Sequence, residues 1–457
     1  MTSLDIPPAA PKPTVYLPST PTLSTDHGNI PLYQKIHEAH MDLVKKLDDR
    51  GFRLEDIDGV DAWVQNMMDH AQASDAFIFP PMTSLDKNHP RYQAEAAKRW
   101  FEFFSVVTGV HVGSKEKYSK AGTAKPCVVM DPDGQWKLAT DLLEDLKEKG
   151  MFSSKVDDIV HVVGRNTAVH DYAGRNNEAV TALQQVIADN RGKAQKEVPR
   201  KYPDRIFQPQ RKPLKRHKFG VAMFGSATTT EDSYIAQTED LAQMVGQRGW
   251  RMSTGAGNDG CMGAMDRGFD KGKKEFNQKY PNAKYKPAHI GVSTNPILQL
   301  EGNPEGLEQL IITDNIYDRM EIMLRGNKSP DPLQRADDAT KVIFVVPGGA
   351  GTLHEFATMM QLATNGNMME EKTVVLLNIP NHLNPDQGFW DKLIETAKEL
   401  GFDKHFEVAN TPQEAIDIAD REYKKWLERH PDNKTLPHPQ FNPNPRATRN
   451  ERLASER

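Results

Sequence analysis

The chain has 457 residues, 37% of them hydrophobic and 26% charged, with a formal net charge of −5; this is a globular composition, too long for one ordinary core. So small a charge imbalance gives no global field toward nucleic acid or an anionic membrane, and neither is expected as a partner. Two cysteines, Cys127 and Cys261, exclude a disulfide framework and argue against a thiolate zinc site, and no metal or other cofactor is expected.

Residues 1–30 are rich in proline and read as an extended arm, with no basic segment followed by the apolar run of a secretory signal. No stretch reaches the apolar length of a membrane span, so the expected location is the cytoplasm. Residues 31–190 read as an N-terminal α/β domain. Helical periodicity covers 32–47, 60–71, 91–107 and 135–149, and strand-like runs fall at Ala76–Phe79, Cys127–Met130 and Ile159–Val163. A basic, proline-punctuated segment at 191–218 reads as a linker. From 219 to 425 short β-branched runs at 219–224, 250–253, 290–293, 309–312, 342–346 and 373–377 alternate with helical stretches such as 232–247, 316–324, 352–363 and 389–400. That alternation predicts an α/β fold: a Rossmann-like, doubly wound parallel sheet. Residues 426–457 read as a flexible tail.

Part of the N-terminal half echoes the second half. KPCVVMD at 125–131, a tryptophan, a helix ending near Gly150 and HVVGRNTAVHDYA parallel KTVVLLN at 372–378, Trp390, a helix ending near Gly401 and FEVANTPQEAIDIA. Upstream, DAFIFPP at 75–81 resembles KVIFVVPGG at 341–349 without its glycines. A degenerate duplicate that has lost its phosphate loop is one reading; chance similarity between two α/β segments is the other.

The strongest chemical signal is VVPGGAGTLHE at 345–355. A buried strand ends, Gly348, Gly349 and Gly351 leave room for an anion, and a helix begins whose free N–H groups and dipole favour a phosphate, with Thr352 adding a hydroxyl. Glu355 lies one turn on. It is either the partner in a capping box with Thr352 or a carboxylate placed to meet positive charge developing on a sugar. Two further Gly-rich junctions follow strands: Gly225-Ser226 in FGSA, and Gly257, Asp259 and Met262 in TGAGNDGCMGA. Three such junctions in one domain speak against an ordinary dinucleotide site. The methionines at 359, 360, 368 and 369 and Cys261 read as packing residues.

FGSA at 224–227, TGAGNDGCMGA at 254–264, Tyr317-Asp318-Arg319 and PGGAGTLHE at 347–355 resemble the Lonely Guy (LOG) phosphoribohydrolases, long mislabelled lysine decarboxylases. The resemblance covers roughly residues 218–420. It implies that Arg319 and Glu355 are the catalytic pair, with Gly348, Gly349, Gly351 and Thr352 on the phosphate. It also implies a Rossmann-like unit that dimerises, with its site near the interface, so a homodimer or tetramer is expected. The sequence departs from the family at Met320, where a lysine is usual, and at His354, where an acid is common. The expected activity is hydrolysis of a nucleoside 5′-monophosphate, AMP-like or a cytokinin riboside monophosphate, to free base and ribose 5-phosphate. The base is expected toward Gly225, Ser226, Gly257, Asp259 and Met262. Asp259 and His354 are the candidates for protonating the departing base. The rival readings are a nucleotide-binding protein without turnover and, more weakly, a pyridoxal phosphate decarboxylase.

Overall fold

The computed structural model describes residues 13–17, 30–50, 52–56, 74, 76–83, 88, 91–118, 120–121, 127–152, 160–165, 171–190, 196–197, 201–213, 215, 217–364 and 372–430. The helix expected at 60–71, Met368 and Met369, and the part of the expected tail from 431 lie outside them, whereas its first residues, 426–429, are helical with Trp426 and Leu427 buried.

In the N-terminal half the order is β1 (Thr14–Leu17), α1 (Ile30–Asp49), β2 (Arg53–Asp56), β3 (Ala76–Phe79), α2 (Tyr92–Tyr118), β4 (Cys127–Met130), α3 (Lys137–Glu148), β5 (Val160–Val163) and α4 (Tyr172–Asn190). These strands form one parallel sheet in the order β2-β1-β3-β4-β5. Two of them escape periodicity: β1 lies within the segment that reads as an arm, and β2 carries Arg53, Glu55 and Asp56. A four-residue strand is too short to show an alternation, and sheet pairing alone selects it.

The C-terminal half contains β6 (Gln210–Arg211), β7 (Gly220–Phe224), α5 (Asp232–Gln247), β8 (Arg251–Thr254), α6 (Gly260–Lys279), β9 (Ala288–Ser293), α7 (Asn295–Glu301) and β10 (Gln309–Ile312). It continues with α8 (Ile316–Arg325), β11 (Val342–Val345), α9 (Ala350–Thr364), β12 (Thr373–Leu377), α10 (Asp391–Glu399), β13 (Glu407–Ala409) and α11 (Pro412–Arg429). Its eight strands run β13-β12-β11-β7-β8-β9-β10-β6, parallel except for β6 at the edge. The central strands β7, β8, β9 and β11 are buried throughout, as strands covered by helices on both faces must be. The order reverses direction between β7 and β11, and ligands in such sheets bind at the carboxyl ends beside that switch.

The segment expected to be a linker is partly laid against this sheet. Gln210–Arg211 pairs with β10, Phe207 is buried, and Lys196–Glu197 pairs with Lys120–Ala121.

The two halves share one apolar core. It runs from Phe79, Trp100, Phe104 and Trp136 through Met223 and Phe356 to Phe402 and Trp426. Its seam is α2 lying along α9, with Trp100 and Phe101 of α2 against Phe402 at ring separations of 5.4 and 4.8 Å. Among the described residues no helix is long and apolar enough to cross a membrane.

Candidate functional site

The site forms at the carboxyl ends of β7, β8 and β11, where a cavity of about 360 Å³ opens. That volume is in the range of small-molecule clefts. Its floor includes Gly349, Ala350, Gly351 and Thr352, the first turn of α9, so the N-terminal amides of that helix face the cavity. Gly348 stands just behind this turn. A Cβ there would collide with the Thr352 side chain, which explains why that position has none.

Glu355 sits one turn further along α9 and lines the same cavity. Its carboxylate accepts a 2.7 Å hydrogen bond from Nη1 of Arg319, and both side chains are buried. Arg319 projects from α8, and its Nε–H donates to the Val292 carbonyl at 3.0 Å. Glu355 is therefore not a capping-box partner for Thr352. A box-like cap occurs instead at α11, where the Thr411 hydroxyl accepts from the Glu414 N–H at 3.1 Å and the Glu414 carboxylate accepts from the Asn410 N–H, one residue ahead, at 2.8 Å. Burial pushes the Glu355 carboxyl up from its ordinary range, against the opposing pull of the Arg319 charge and hydrogen bond. Arg319 favours the ionised carboxylate, and desolvation is the larger effect.

Arg319 and Glu355 come together across 36 residues of sequence. Gly225, Ser226 and Met262 also line the cavity. The Ser226 hydroxyl accepts hydrogen bonds from the N–H groups of Thr228 and Thr229, both at 3.0 Å, and lies 3.3 Å from the Thr228 hydroxyl, so it shapes its own turn. Gly257 is buried just behind the lining. A Cβ there would meet Met262 and, at 2.7 Å, the Glu301 carboxylate.

Two expectations are corrected. Asp259 is exposed at the mouth of α6 and pairs with Lys201 at 2.7 Å, outside the cavity lining, because its position just ahead of the helix turns it to solvent. His354 points away from the cavity: its Nδ1 lies 3.1 Å from the Ser105 carbonyl of α2, and burial lowers its pKa to about 4. A neighbour of Glu355 in sequence is turned about 100° around the helix axis from it. Neither residue is placed to protonate a base.

Sequence reading missed two contributors. Glu301, the last residue of α7, lines the cavity on the Gly257–Met262 side. Gly150, Met151 and Phe152, from the N-terminal half, form another wall, and the Met151 carbonyl stands where a Cβ on Gly349 would be. No local signal announces either; only the packing of distant segments brings them in. The loop between Gly255 and Gly257 carries a third unexpected feature, Ala256 at φ +62°, held from one side by Thr254, whose hydroxyl accepts from the Ala256 N–H at 3.3 Å. Left-handed backbone in a non-glycine residue costs about 1–2 kcal/mol and marks a loop whose shape is fixed by its surroundings.

Cys261 is buried behind the cavity and its thiol is pushed up to about 11, consistent with packing rather than nucleophilic chemistry. Met359 and Met360 are fully buried in the core. Among the described residues no group of three or more histidine, cysteine, aspartate or glutamate side chains is placed to hold a metal.

Residues 262–423 match the protein-family model described as "Possible lysine decarboxylase". Comparison with curated proteins returned no match. Among solved structures, the chain is similar to the Moco carrier protein from Chlamydomonas reinhardtii at 19% identity, TM-score 0.30, over 46% of this chain and 99% of that one. It is likewise similar to the molybdenum cofactor binding protein from Rippkaea orientalis at 18% identity, TM-score 0.30, over 46% of this chain and 98% of that one. The Rossmann-like sheet, the glycine-rich helix mouth and the family match all fall in the C-terminal half, and over residues 262–423 the chain is similar to that family.

Proposed function

We propose that the protein hydrolyses the N-glycosidic bond of a nucleoside 5′-monophosphate, releasing free base and ribose 5-phosphate. The observation that carries this reading is the buried Glu355–Arg319 pair on the wall of a cavity floored by the first turn of α9. A 5′-phosphate on those amides fixes the ribose, and its binding energy holds the sugar against the carboxylate. N-glycoside cleavage passes through an oxocarbenium-like sugar. Glu355 stabilises that charge and orients or deprotonates the attacking water, while Arg319 positions Glu355 and lies within reach of ribose hydroxyls or phosphate. The base extends toward Gly225, Ser226 and Met262, and Glu301 is the carboxylate best placed on that side to meet its ring nitrogen or amino group.

The decisive experiment incubates the purified chain with AMP, GMP, CMP, UMP and a prenylated AMP and follows free base and ribose 5-phosphate. Glu355→Gln is expected to lower release by about 10³-fold or more while leaving nucleotide binding within a few fold. Binding of every nucleotide without any base release defeats the hydrolase reading in favour of a carrier or sensor. An absorbing chromophore bound to the purified protein points instead to pyridoxal phosphate.

A further inference from the structure

The two halves of the chain are built alike. Read from β5, the N-terminal sheet runs β5-β4-β3-β1-β2; read from β13, the C-terminal sheet begins β13-β12-β11-β7-β8. The connecting helices match in turn: α1 with α5, α2 with α9, α3 with α10 and α4 with α11. The correspondence reaches single hydrogen bonds. The Trp136 N–H donates to Asp131 Oδ1 at 3.0 Å, and the Trp390 N–H donates to Asn378 Oδ1 at 2.6 Å. The Asp131 N–H donates to the Val163 carbonyl at 2.8 Å, and the Asn378 N–H to the Ala409 carbonyl at 2.7 Å. After α3 and α10 the chain turns through Gly150 at φ +71° and Gly401 at φ +70°. The next N–H in each case reaches back into its helix, from Met151 to the Leu146 carbonyl and from Phe402 to Ala397. Chance likeness between two α/β segments accounts for a shared strand order, not for matched bonds at matched positions.

The contacts between the halves are reciprocal as well. The start of α9, at Gly349, meets the turn after α3 at Met151; the start of α2, at Gln93, meets the turn after α10 at Gly401 and donates to the Glu399 carbonyl at 3.1 Å. With α2 and α9 side by side, each half presents its helix mouth to the other.

Among the described residues, the glycine-rich junction that opens α9 has no counterpart in the N-terminal half. Where the C-terminal half has Pro347-Gly348-Gly349, the N-terminal half has Pro81-Met82-Thr83, and the Thr83 N–H already donates to the Gln135 side chain at 3.1 Å. Pro80 and Pro81 have no N–H to offer. The segment 57–75 between β2 and β3 is also far too short for the helices and strands that fill 255–341 and bring in Arg319.

We infer that the N-terminal half is a degenerate second copy of the C-terminal unit, which has lost its own anion site and supplies the Gly150–Phe152 wall of the one that remains. The inference deepens the nucleotide reading above and rests on it for the identity of the ligand. A chain then holds one mononucleotide, and the wall at the phosphate end limits how much phosphate the mouth admits, so AMP fits and ADP does not.

Titration calorimetry on the full-length Glu355→Gln chain with AMP, ADP and inorganic phosphate counts the sites and tests the wall together. One AMP or phosphate per chain is expected, with ADP at least 10-fold weaker than AMP. Phe152→Ala, and the milder Phe152→Leu should the first fail to fold, are expected to narrow the ADP discrimination and shift AMP affinity by 5-fold or more. Two equivalent sites per chain overturn the lost-site claim. Unchanged affinities and unchanged discrimination in a folded Phe152 variant overturn the wall. Binding as expected with no base release from the wild-type chain defeats the hydrolase reading alone, whereas a chain that binds neither AMP nor phosphate defeats both.

Discussion

Glu355 occupies a compromise between two forces. Its surroundings remove water, which raises the carboxyl's proton affinity, and Arg319 gives back part of the lost stabilisation. In the proposed hydrolysis the carboxylate must be ionised to meet an oxocarbenium ion, so activity is expected to be lost in acid sooner than with an exposed glutamate. Base release is expected to fall on an acid limb displaced above the ordinary carboxylate range, since the folded pKa is raised; a limb at or below pH 4.5, the ordinary value for glutamate, contradicts the burial argument. Arg319→Ala removes the partner of a buried charge. It is expected to cost about 3–5 kcal/mol of stability by chemical denaturation as well as activity, whereas Arg319→Lys restores charge but not the two-directional hold on Glu355 and Val292.

At the level of elements, α5 and α6 lie unusually close because α6 places Gly268 and Gly272 beneath the backbone of α5. A Cβ on either would strike a main-chain carbonyl, of Glu239 or of Gln243. Helix propensity by itself favours alanine over glycine by about 1 kcal/mol. Packing opposes it, and a clash with backbone has no cheap relief. Gly268→Ala is expected to destabilise by about 1–3 kcal/mol in urea unfolding, the cost of overpacking; a gain in stability would mean that the helices can part freely. The packing of α2 on the C-terminal half rests on aromatic rings instead, Trp100 and Phe101 against Phe402. Phe104, fully buried with its ring 4.3 Å from Trp100, is expected to cost about 3–5 kcal/mol when replaced by alanine.

For the whole molecule, the shared core means that neither half is a free-standing unit: the apolar cluster crosses from Trp100 and Phe104 to Phe356 and Phe402 without interruption. Cooperative unfolding of both halves in one transition is therefore expected. Two buried histidines add a pH dependence to it. His354, at the seam, and His217, under α11 against Tyr423, both have pKa values lowered from 6.5 to about 4 by burial. The folded state binds fewer protons than the unfolded state between these values, so stability rises with pH across that window and falls as the solution is acidified from 6.5 toward 4. The loss is at most about 3 kcal/mol for each histidine. Thermal melts from pH 7 down to pH 4 check the slope, and His354→Gln or His217→Gln should flatten it.

The amino-acid sequence alone determined the parallel α/β character, the helix mouth after β11 and the carboxylate one turn beyond it, because each is written in a contiguous run. Strand β11, the glycines and Glu355 lie within fifteen residues' reach of one another, and a strand–glycine–helix junction needs no distant partner to be recognised. The tertiary structure decided the rest. It turned Asp259 and His354 away from the cavity, brought Glu301 and the Met151 carbonyl into it, and set the sign of the Glu355 shift. The physical reason is that burial, and the wall one half lends to the other, are properties of surfaces brought together across hundreds of residues. Short strands such as β1 and β2 acquire their identity in the same way, from neighbours in the sheet rather than from any pattern of their own.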